Sequence, residues 1–163
     1  MKSLVFLLSA LLFFCSCRNE SSGDKAVTKA AKPALVAGES EKTLDVPWIA
    51  EFNDSTELLE IRKNPVAYSG NLNEQDIIDA LNLKYPQIKI TAVSRHGKTA
   101  VVKIEDATYL SEQMGSTGAR AYLAEATYSL TEIKGIEAVD FQFKAGDHAT
   151  PGILTRRSFE NFN

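Results

Sequence analysis

Two cysteines near the amino terminus have the spacing for the most definite chemistry in the chain, the attachment of lipid. Both follow a positively charged start and an apolar run over residues 4–14. A charged start, a short apolar run and a small residue at the cleavage site are typical of a secretory signal peptide. Ser16 places a small residue before Cys17, whereas the bulky Phe14 precedes Cys15. We therefore expect cleavage after residue 16 and a lipid on Cys17, with a non-lipidated leader cut elsewhere as the alternative.

This leader also limits where the protein works and what its folded part can do. Its apolar run is much shorter than the roughly 20 residues that a membrane-spanning helix needs. Loss of Cys15 and lipidation of Cys17 leave no cysteine in the rest of the chain, which excludes disulfides and thiol chemistry there. We expect the lipid on Cys17 to hold the protein to a membrane of the cell envelope. The outer membrane is favoured, and the membrane face stays open.

Two histidines and one glycine-rich step could also support chemistry. His96 and His148 are candidate bases or metal ligands, but no cluster of the three or four ligands of a metal site accompanies them. Gly115-Ser116-Thr117-Gly118 opens a predicted helix, where free backbone N–H groups can hold an anion, and it matches the GXXG loop of RNA-binding KH domains. A phosphate-loop lysine is missing there. We expect a flexible loop and helix cap, with anion binding as the alternative.

The remaining composition argues against an enzyme and against a nucleic-acid-binding protein. A net charge of −3 gives no electrostatic attraction to phosphate backbones. No Gly-x-Ser-x-Gly elbow of a serine hydrolase is present, and Glu105-Asp106 is typical of a solvated strand end. We expect no catalytic residue, no metal and no cofactor, and no nucleic acid among the partners.

The carboxy-terminal tail has the composition of a protein interface. Arg156, Arg157, Phe159 and Phe162 combine basic and aromatic side chains, which are enriched where proteins meet. These four residues are the candidate interface, with packing of the tail against its own domain as the alternative. Trp48 and the tyrosines are expected in the core or at its rim, whereas a cavity lined by them would indicate a small-molecule site.

Composition divides the chain into a signal peptide (1–16), a tether (17–41) and a folded domain (42–163). The tether is rich in Ser, Ala, Lys and Glu and has no aromatic residue, which predicts disorder because it cannot bury enough apolar surface. The domain begins with alternating apolar residues over 44–50, which indicate an edge strand. Residues 58–62 fit either a second strand or a helical turn.

Periodicity predicts the first half of the domain core. Asn73 is suited to cap a helix that Pro86 ends, with Asp76 completing a capping box. A hairpin follows, with apolar alternation over 88–92 and 100–104 and Gly97 supplying the positive φ of its turn.

The second half adds one helix and one strand, which decide the fold class. Ala119, Tyr122, Leu123, Ala126, Leu130 and Ile133 form an apolar stripe on the longest helix. Gly135 fits the left-handed position past its end, and the last clear strand covers 139–143. The order helix-strand-strand-helix-strand predicts an α+β two-layer sandwich. Its two helices cover one face of a small sheet, and one or more strands precede this core.

Residues 88–159 resemble the GerMN domain of sporulation and spore-germination proteins. The likeness is carried by the hairpin 90–102, by the helix end 128–136 with its Ser129-Leu130-Thr131, and by the strand 138–143 followed by Gly146. The resemblance implies a fold like the ring-building motifs of secretion and sporulation machines, in non-catalytic lipoproteins of the envelope or spore surface. This chain carries one such domain. Its leader resembles those of lipoproteins from Bacteroidota, which do not sporulate.

These observations predict a non-enzymatic envelope lipoprotein. Its domain would bind a protein partner or associate with itself through a charge-poor sheet face or an open strand edge. The alternative is a small-ligand or glycan-binding lipoprotein, and an enzyme of unknown class ranks third. Asp54-Ser55-Thr56 also resembles a short acceptor for O-glycosylation in Bacteroidota.

Overall fold

The described chain alternates strands and helices around one long helix. The computed structural model describes residues 45–67, 70 and 72–162, with the side chains of 161 and 162 excepted. The predicted signal peptide and tether therefore lie outside the described residues. In chain order the elements are β1 (Trp48–Asn53), β2 (Leu58–Lys63), α1 (Glu74–Lys84), β3 (Ile90–His96), β4 (Thr99–Ile104), a π-helical turn (Tyr109–Gln113), α2 (Gly115–Leu130), β5 (Ala138–Gln142), β6 (Gly152–Leu154) and a 3-10 helix (Arg156–Phe162).

A four-stranded sheet with the order β3-β4-β5-β6 forms the base of the domain. β4 and β5 are parallel, and the two other pairs are antiparallel. Parallel neighbours need a crossover connection, which α2 supplies between β4 and β5. The predicted α+β class and the order helix-strand-strand-helix-strand are confirmed. β6, which has three residues, extends the sheet by one strand that periodicity did not indicate.

A separate antiparallel pair, β1 and β2, packs on α2. It confirms the predicted amino-terminal strand and identifies residues 58–63 as a second strand rather than a helical turn. Every residue of α2 from Tyr122 to Leu130 is buried. A helix that is buried all round must be covered on more than one side, so the predicted apolar stripe describes only part of what α2 contacts.

Local signals set the boundaries of α1 and of the β3–β4 hairpin. The Asn73 side chain accepts a hydrogen bond from the Asp76 backbone N–H at 2.9 Å, and the Asp76 carboxylate accepts one from the Asn73 N–H at 3.1 Å. Both halves of the predicted capping box are thus present. Gly97 turns the hairpin with φ of 61°. A bulge interrupts the pairing between Ala92 and Ser94.

The end of α2 differs from the prediction. The helix stops at Leu130, and Thr131 caps it, with its hydroxyl donating to the Thr127 carbonyl at 2.7 Å. Gly135 has the expected positive φ of 86°, but it lies in the following turn rather than directly past the helix. The next two N–H groups donate to carbonyls three residues back, Glu132 to Ser129 at 3.2 Å and Ile133 to Leu130 at 3.3 Å, which tightens the chain after the helix. Among the described residues, no helix is long and apolar enough to cross a membrane.

Candidate functional site

A cavity of about 470 Å³ opens beside the start of α2. Its volume falls in the range that small-molecule sites occupy in proteins. Four parts of the chain contribute to it: the β1–β2 hairpin, α2, the loop after β5, and the segment from β6 into the 3-10 helix. The lining residues are Phe52, Glu57, Leu59, Ser116, Thr117, Arg120, Leu123, His148, Ala149, Thr150, Leu154, Ser158 and Phe159.

The cavity unites two of the candidates named from sequence, the Gly115–Gly118 step and His148. Ser116 Oγ lies 3.2 Å from His148 Nδ1, and which of the two donates depends on the tautomer of the imidazole. The four residues of the step form the first turn of α2 rather than a separate loop. Arg120 follows one turn later and also lines the cavity.

The π-helical turn holds the loop that carries His148 through backbone hydrogen bonding. The His148 backbone N–H donates to the Ser111 carbonyl at 2.9 Å, and the Gly146 N–H donates to the Ala149 carbonyl at 3.0 Å. Ser111 is itself buried, and its hydroxyl donates to the Ala107 carbonyl at 2.9 Å. The position of His148 is therefore set by backbone contacts with a buried turn, although its own side chain reaches solvent.

The carboxy-terminal segment closes the cavity because Arg156 anchors it to α2. The Arg156 guanidinium lies over the rings of Trp48 and Tyr128, 4.9 and 5.1 Å from their centroids, and the two rings contact each other edge-on. It also donates to Glu132 Oε2 and to Thr131 Oγ1, both at 2.8 Å. Phe159 is buried and packs edge-on against Tyr128 at 6.4 Å.

This packing changes how the four tail residues are interpreted. Arg156 and Phe159 are engaged within the domain, which is the alternative that the sequence left open, and we do not assign them to an interface. Arg157 is exposed, with a long contact of 3.9 Å to Glu160. The side chain of Phe162 lies outside the described residues.

Glu132 is the electrostatic partner of Arg156, which anchors the carboxy-terminal segment to α2. Its carboxylate accepts hydrogen bonds from Arg156, from Trp48 Nε1 at 2.9 Å and from Lys63 Nζ at 3.2 Å. Partial burial opposes ionisation of the carboxyl, but hydrogen bonds from Arg156, Trp48 and Lys63 outweigh it and lower the pKa of Glu132 to about 2. Trp48 therefore belongs to the anchor. It packs against the core without lining the cavity, and Tyr122 and Tyr128 are buried, as expected for these aromatic residues.

A second polar cluster is buried between α1, α2 and β1. Glu125 is fully buried, and its Oε2 accepts hydrogen bonds from Lys84 Nζ at 2.8 Å and from the Ala50 backbone N–H at 3.1 Å. Burial, and after it the charge of Glu125, raises the pKa of Tyr85; burial also raises that of Tyr122. The rings of these tyrosines meet edge to face at 5.0 Å.

Sequence reasoning missed Glu125 because it counted only the apolar stripe of α2. The available signal was Lys84 in the last turn of α1, because a lysine stem can pack on apolar surface while its ammonium group reaches a carboxylate. Glu125 Oε1 and the Tyr122 hydroxyl make no hydrogen bond to the described protein atoms. Groups of this kind are commonly satisfied by buried water.

The remaining sequence candidates lie apart from the cavity. His96 ends β3, where Ser94 Oγ lies 3.1 Å from its Nε2. Asp106 lies in the turn after β4, and hydrogen bonds from Thr108 lower its pKa. Asp54-Ser55-Thr56 forms the exposed β1–β2 turn, in which the Asn53 side chain accepts a hydrogen bond from the Ser55 N–H at 2.9 Å. Within the described ranges, no three acidic, histidine or cysteine side chains are placed to share a metal ion.

Comparisons with models of known protein families, with curated proteins and with solved structures found no match. The resemblance of residues 88–159 to GerMN domains therefore stays a prediction.

Proposed function

We propose that this chain is a lipid-anchored, non-catalytic protein of the bacterial cell envelope and that its α+β domain binds a small molecule in the cavity beside α2. The single observation that supports ligand binding is the cavity itself, at about 470 Å³. It combines apolar walls with a few converging polar groups, which is the usual make-up of a ligand site. The small-ligand alternative of the sequence analysis is thereby preferred to the protein-binding prediction.

Three features support the placement in the envelope and the absence of catalysis. The Cys15-Ser16-Cys17 leader predicts a lipid anchor, and the GerMN resemblance implies a non-catalytic envelope domain. Catalysis through His148 would need an orienting partner as well as a nucleophile. In the described part of the chain Ser116 is its side-chain hydrogen-bond partner, and no carboxylate holds the other ring nitrogen.

The test isolates the protein from its own cells and identifies by mass spectrometry the small molecules that remain bound. Thr117→Trp places an indole at the cavity, because Thr117 is exposed in the first turn of α2 and lines it. Gln75→Trp is the matched control in the exposed first turn of α1. We expect a molecule that the wild type and Gln75→Trp retain and Thr117→Trp loses. Identical profiles for all three proteins would refute the proposal.

A protein partner at β3, the outer strand of the four-stranded sheet in the described part of the chain, is the second candidate function. All residues of β3 after Ile90 are exposed, and Val93 at the bulge is 53% exposed. An open edge can accept an extended segment of another chain, although a bulge weakens such pairing. Cross-linking in the native envelope, compared between the wild type and Val93→Lys, tests it. An adduct that Val93→Lys removes supports this function, and unchanged adducts contradict it.

A further inference from the structure

The β1–β2 turn, which carries Glu57, lies towards the start of α2. Trp48 in β1 contacts Tyr128 near the end of α2. Two residues later in β1, the Ala50 N–H donates to Glu125, which lies earlier in α2. β1 and α2 therefore run in opposite directions, and the residues that follow Ala50 approach the first turns of α2. Glu57 brings a carboxylate to that end of the cavity.

Arg120 places a charge of the opposite sign at the same end. It lies in the second turn of α2, lines the cavity and has an interaction partner of its own in the folded chain. Glu57 is the acidic side chain among the lining residues and Arg120 the permanently charged basic one, so their formal charges cancel. A charged ligand group would be attracted by one of them and repelled by the other. The lining therefore favours an uncharged ligand.

Hydrogen-bonding groups are too numerous in the cavity for a purely apolar ligand. More than half of the lining side chains are polar, and besides the two charged ones they are Ser116, Thr117, His148, Thr150 and Ser158. An aliphatic ligand would take these groups out of water without replacing their hydrogen bonds, which costs free energy for each group. A ligand of this cavity must therefore carry several hydroxyl or carbonyl groups of its own.

Phe52 gives the cavity an exposed aromatic surface beside these polar groups. Its side chain lines the cavity and is 43% exposed, whereas its cross-strand partner Leu59 is buried. An aromatic ring presents a flat apolar face. The C–H groups of a sugar ring can pack on such a face while the hydroxyls of the sugar point to polar neighbours.

We propose that the cavity binds a neutral saccharide, with one face of a sugar ring on Phe52 and its hydroxyls bonded to Glu57, Ser116 and His148. This inference rests on the proposed function, since it names the class of the small molecule. A neutral sugar has no charge, several hydroxyls that donate and accept, and an apolar C–H face, so it matches all three properties of the lining. Hydrogen bonds from its hydroxyls to the ionised Glu57 carboxylate are the strongest of these contacts.

The backbone of Glu57 supports a role for its side chain. Its φ is 57°, in the left-handed region that favours glycine, and strain of this kind at a site indicates a function for the residue. Glu57→Gly should raise the unfolding temperature by about 2 °C and yet weaken sugar binding about tenfold. Glu57→Gln should weaken it about fivefold, whereas Glu60→Gln, in the same hairpin but outside the cavity, should leave it unchanged.

The experiment titrates the chain from residue 17 onward, carrying Cys17→Ala, with sugars and follows binding by NMR. The neutral probes are glucose, galactose and mannose, and each is compared with its uronate and its amine, which keep the ring and add one charge. We expect at least one neutral sugar to bind in the millimolar range, and its two charged analogues to bind at least about threefold more weakly. Octanol, the apolar probe, should bind more weakly than that sugar. No binding of any neutral sugar in this range would overturn the proposal, and so would equal affinity for a charged analogue or octanol.

Substitutions at Phe52 test the contact with the sugar ring. Phe52→Leu keeps an apolar side chain but removes the flat face, and it should weaken the sugar about fivefold, whereas Phe52→Trp should retain or increase the affinity. Leu58→Ala is the matched control, because Leu58 is also 43% exposed but does not line the cavity. Thermal unfolding checks that each variant folds. Equal affinities of the wild type and Phe52→Leu would contradict the ring contact.

Failure of this proposal can be separated from failure of the proposed function. If the native molecule that Thr117→Trp displaces is charged or purely aliphatic, the saccharide is refuted and the small-molecule site stands. If sugar binding ignores both Phe52 and Glu57, the sugar does not occupy this cavity and the proposal is refuted. Identical native profiles for the wild type and Thr117→Trp refute the proposed function itself.

Discussion

The charge of the Glu132 carboxylate, which pairs with Arg156, should contribute a calculable amount to the stability of the domain. The pKa of Glu132 is about 2 in the folded domain, against 4.5 for an ordinary glutamate. At 1.36 kcal/mol per unit, this difference would correspond to about 3.4 kcal/mol. The Glu132 side chain is 35% exposed, and solvent screening of such a group reduces the figure to about 1 to 1.5 kcal/mol. Glu132→Gln should therefore lower the free energy of unfolding by about that amount at pH 7.

The pH dependence identifies the charge as the cause. A carboxyl whose pKa is depressed by folding stabilises the protein fully above its unfolded pKa and loses that contribution as pH falls through its folded pKa. The difference between wild type and Glu132→Gln should thus be constant above about pH 5, shrink as the pH falls, and be lost below the folded pKa of about 2.

Urea unfolding followed by circular dichroism measures this difference at pH 7 and at pH 2.5. The fluorescence of Trp48, the only tryptophan, reports separately on the anchor. Glu137→Gln is the matched control, because Glu137 forms an ion pair with Lys98 in which both side chains are about two-thirds exposed. It should change stability by less than about 0.5 kcal/mol. Equal destabilisation by Glu132→Gln at both pH values would refute the electrostatic reasoning, and so would a control effect of the same size.

Three further predictions concern the buried pair, the helix cap and the lipid anchor. Lys84→Met should cost about 2 to 3 kcal/mol in urea unfolding because it strands the buried Glu125 carboxylate, and adding Glu125→Gln should recover part of that loss; no recovery would contradict the pairing. Asn73→Ala should cost about 1 kcal/mol through loss of the capping box. Asn82→Ala is the control, because it removes hydrogen bonds to the Ile90 backbone and leaves the cap intact. In a peptide spanning residues 72–86, Asn73→Ala should therefore lower the helicity more than Asn82→Ala does. Cys17→Ala should release the protein from the membrane fraction, and a variant that stays bound would exclude the Cys17 lipid as the anchor.

Features set by short stretches of sequence could be predicted. The capping box at Asn73 and the Gly97 turn need only neighbours within a few residues, and both are present in the structure. β6 escaped prediction because three residues are too few to display a period of two. Glu125 escaped because a single buried charge inside an apolar helix is visible only once its partners from α1 and β1 are in place.

The cavity could not be predicted because its walls are far apart in sequence. In the sequence, Ser116 belongs to a glycine-rich step and His148 lies 32 residues later, and their contact depends on how the π-helical turn holds the loop after β5. A pattern confined to one segment contains no information about such a contact. The tail illustrates the same limit, because Arg156, one of the four candidate interface residues, contacts Trp48 and Tyr128 of its own domain.

The contacts of Arg156 and the wall of the cavity are coupled through a short stretch of chain. Arg156 fixes the start of the 3-10 helix to α2, and Ser158 and Phe159, two and three residues later, form a wall of the cavity. Because the chain between them is so short, a change that loosens Arg156 must also move that wall. Glu132 does not line the cavity, but its carboxylate accepts a hydrogen bond from Arg156, so we expect loss of its charge to loosen this wall. For this reason, stability and ligand affinity should both fall in Glu132→Gln.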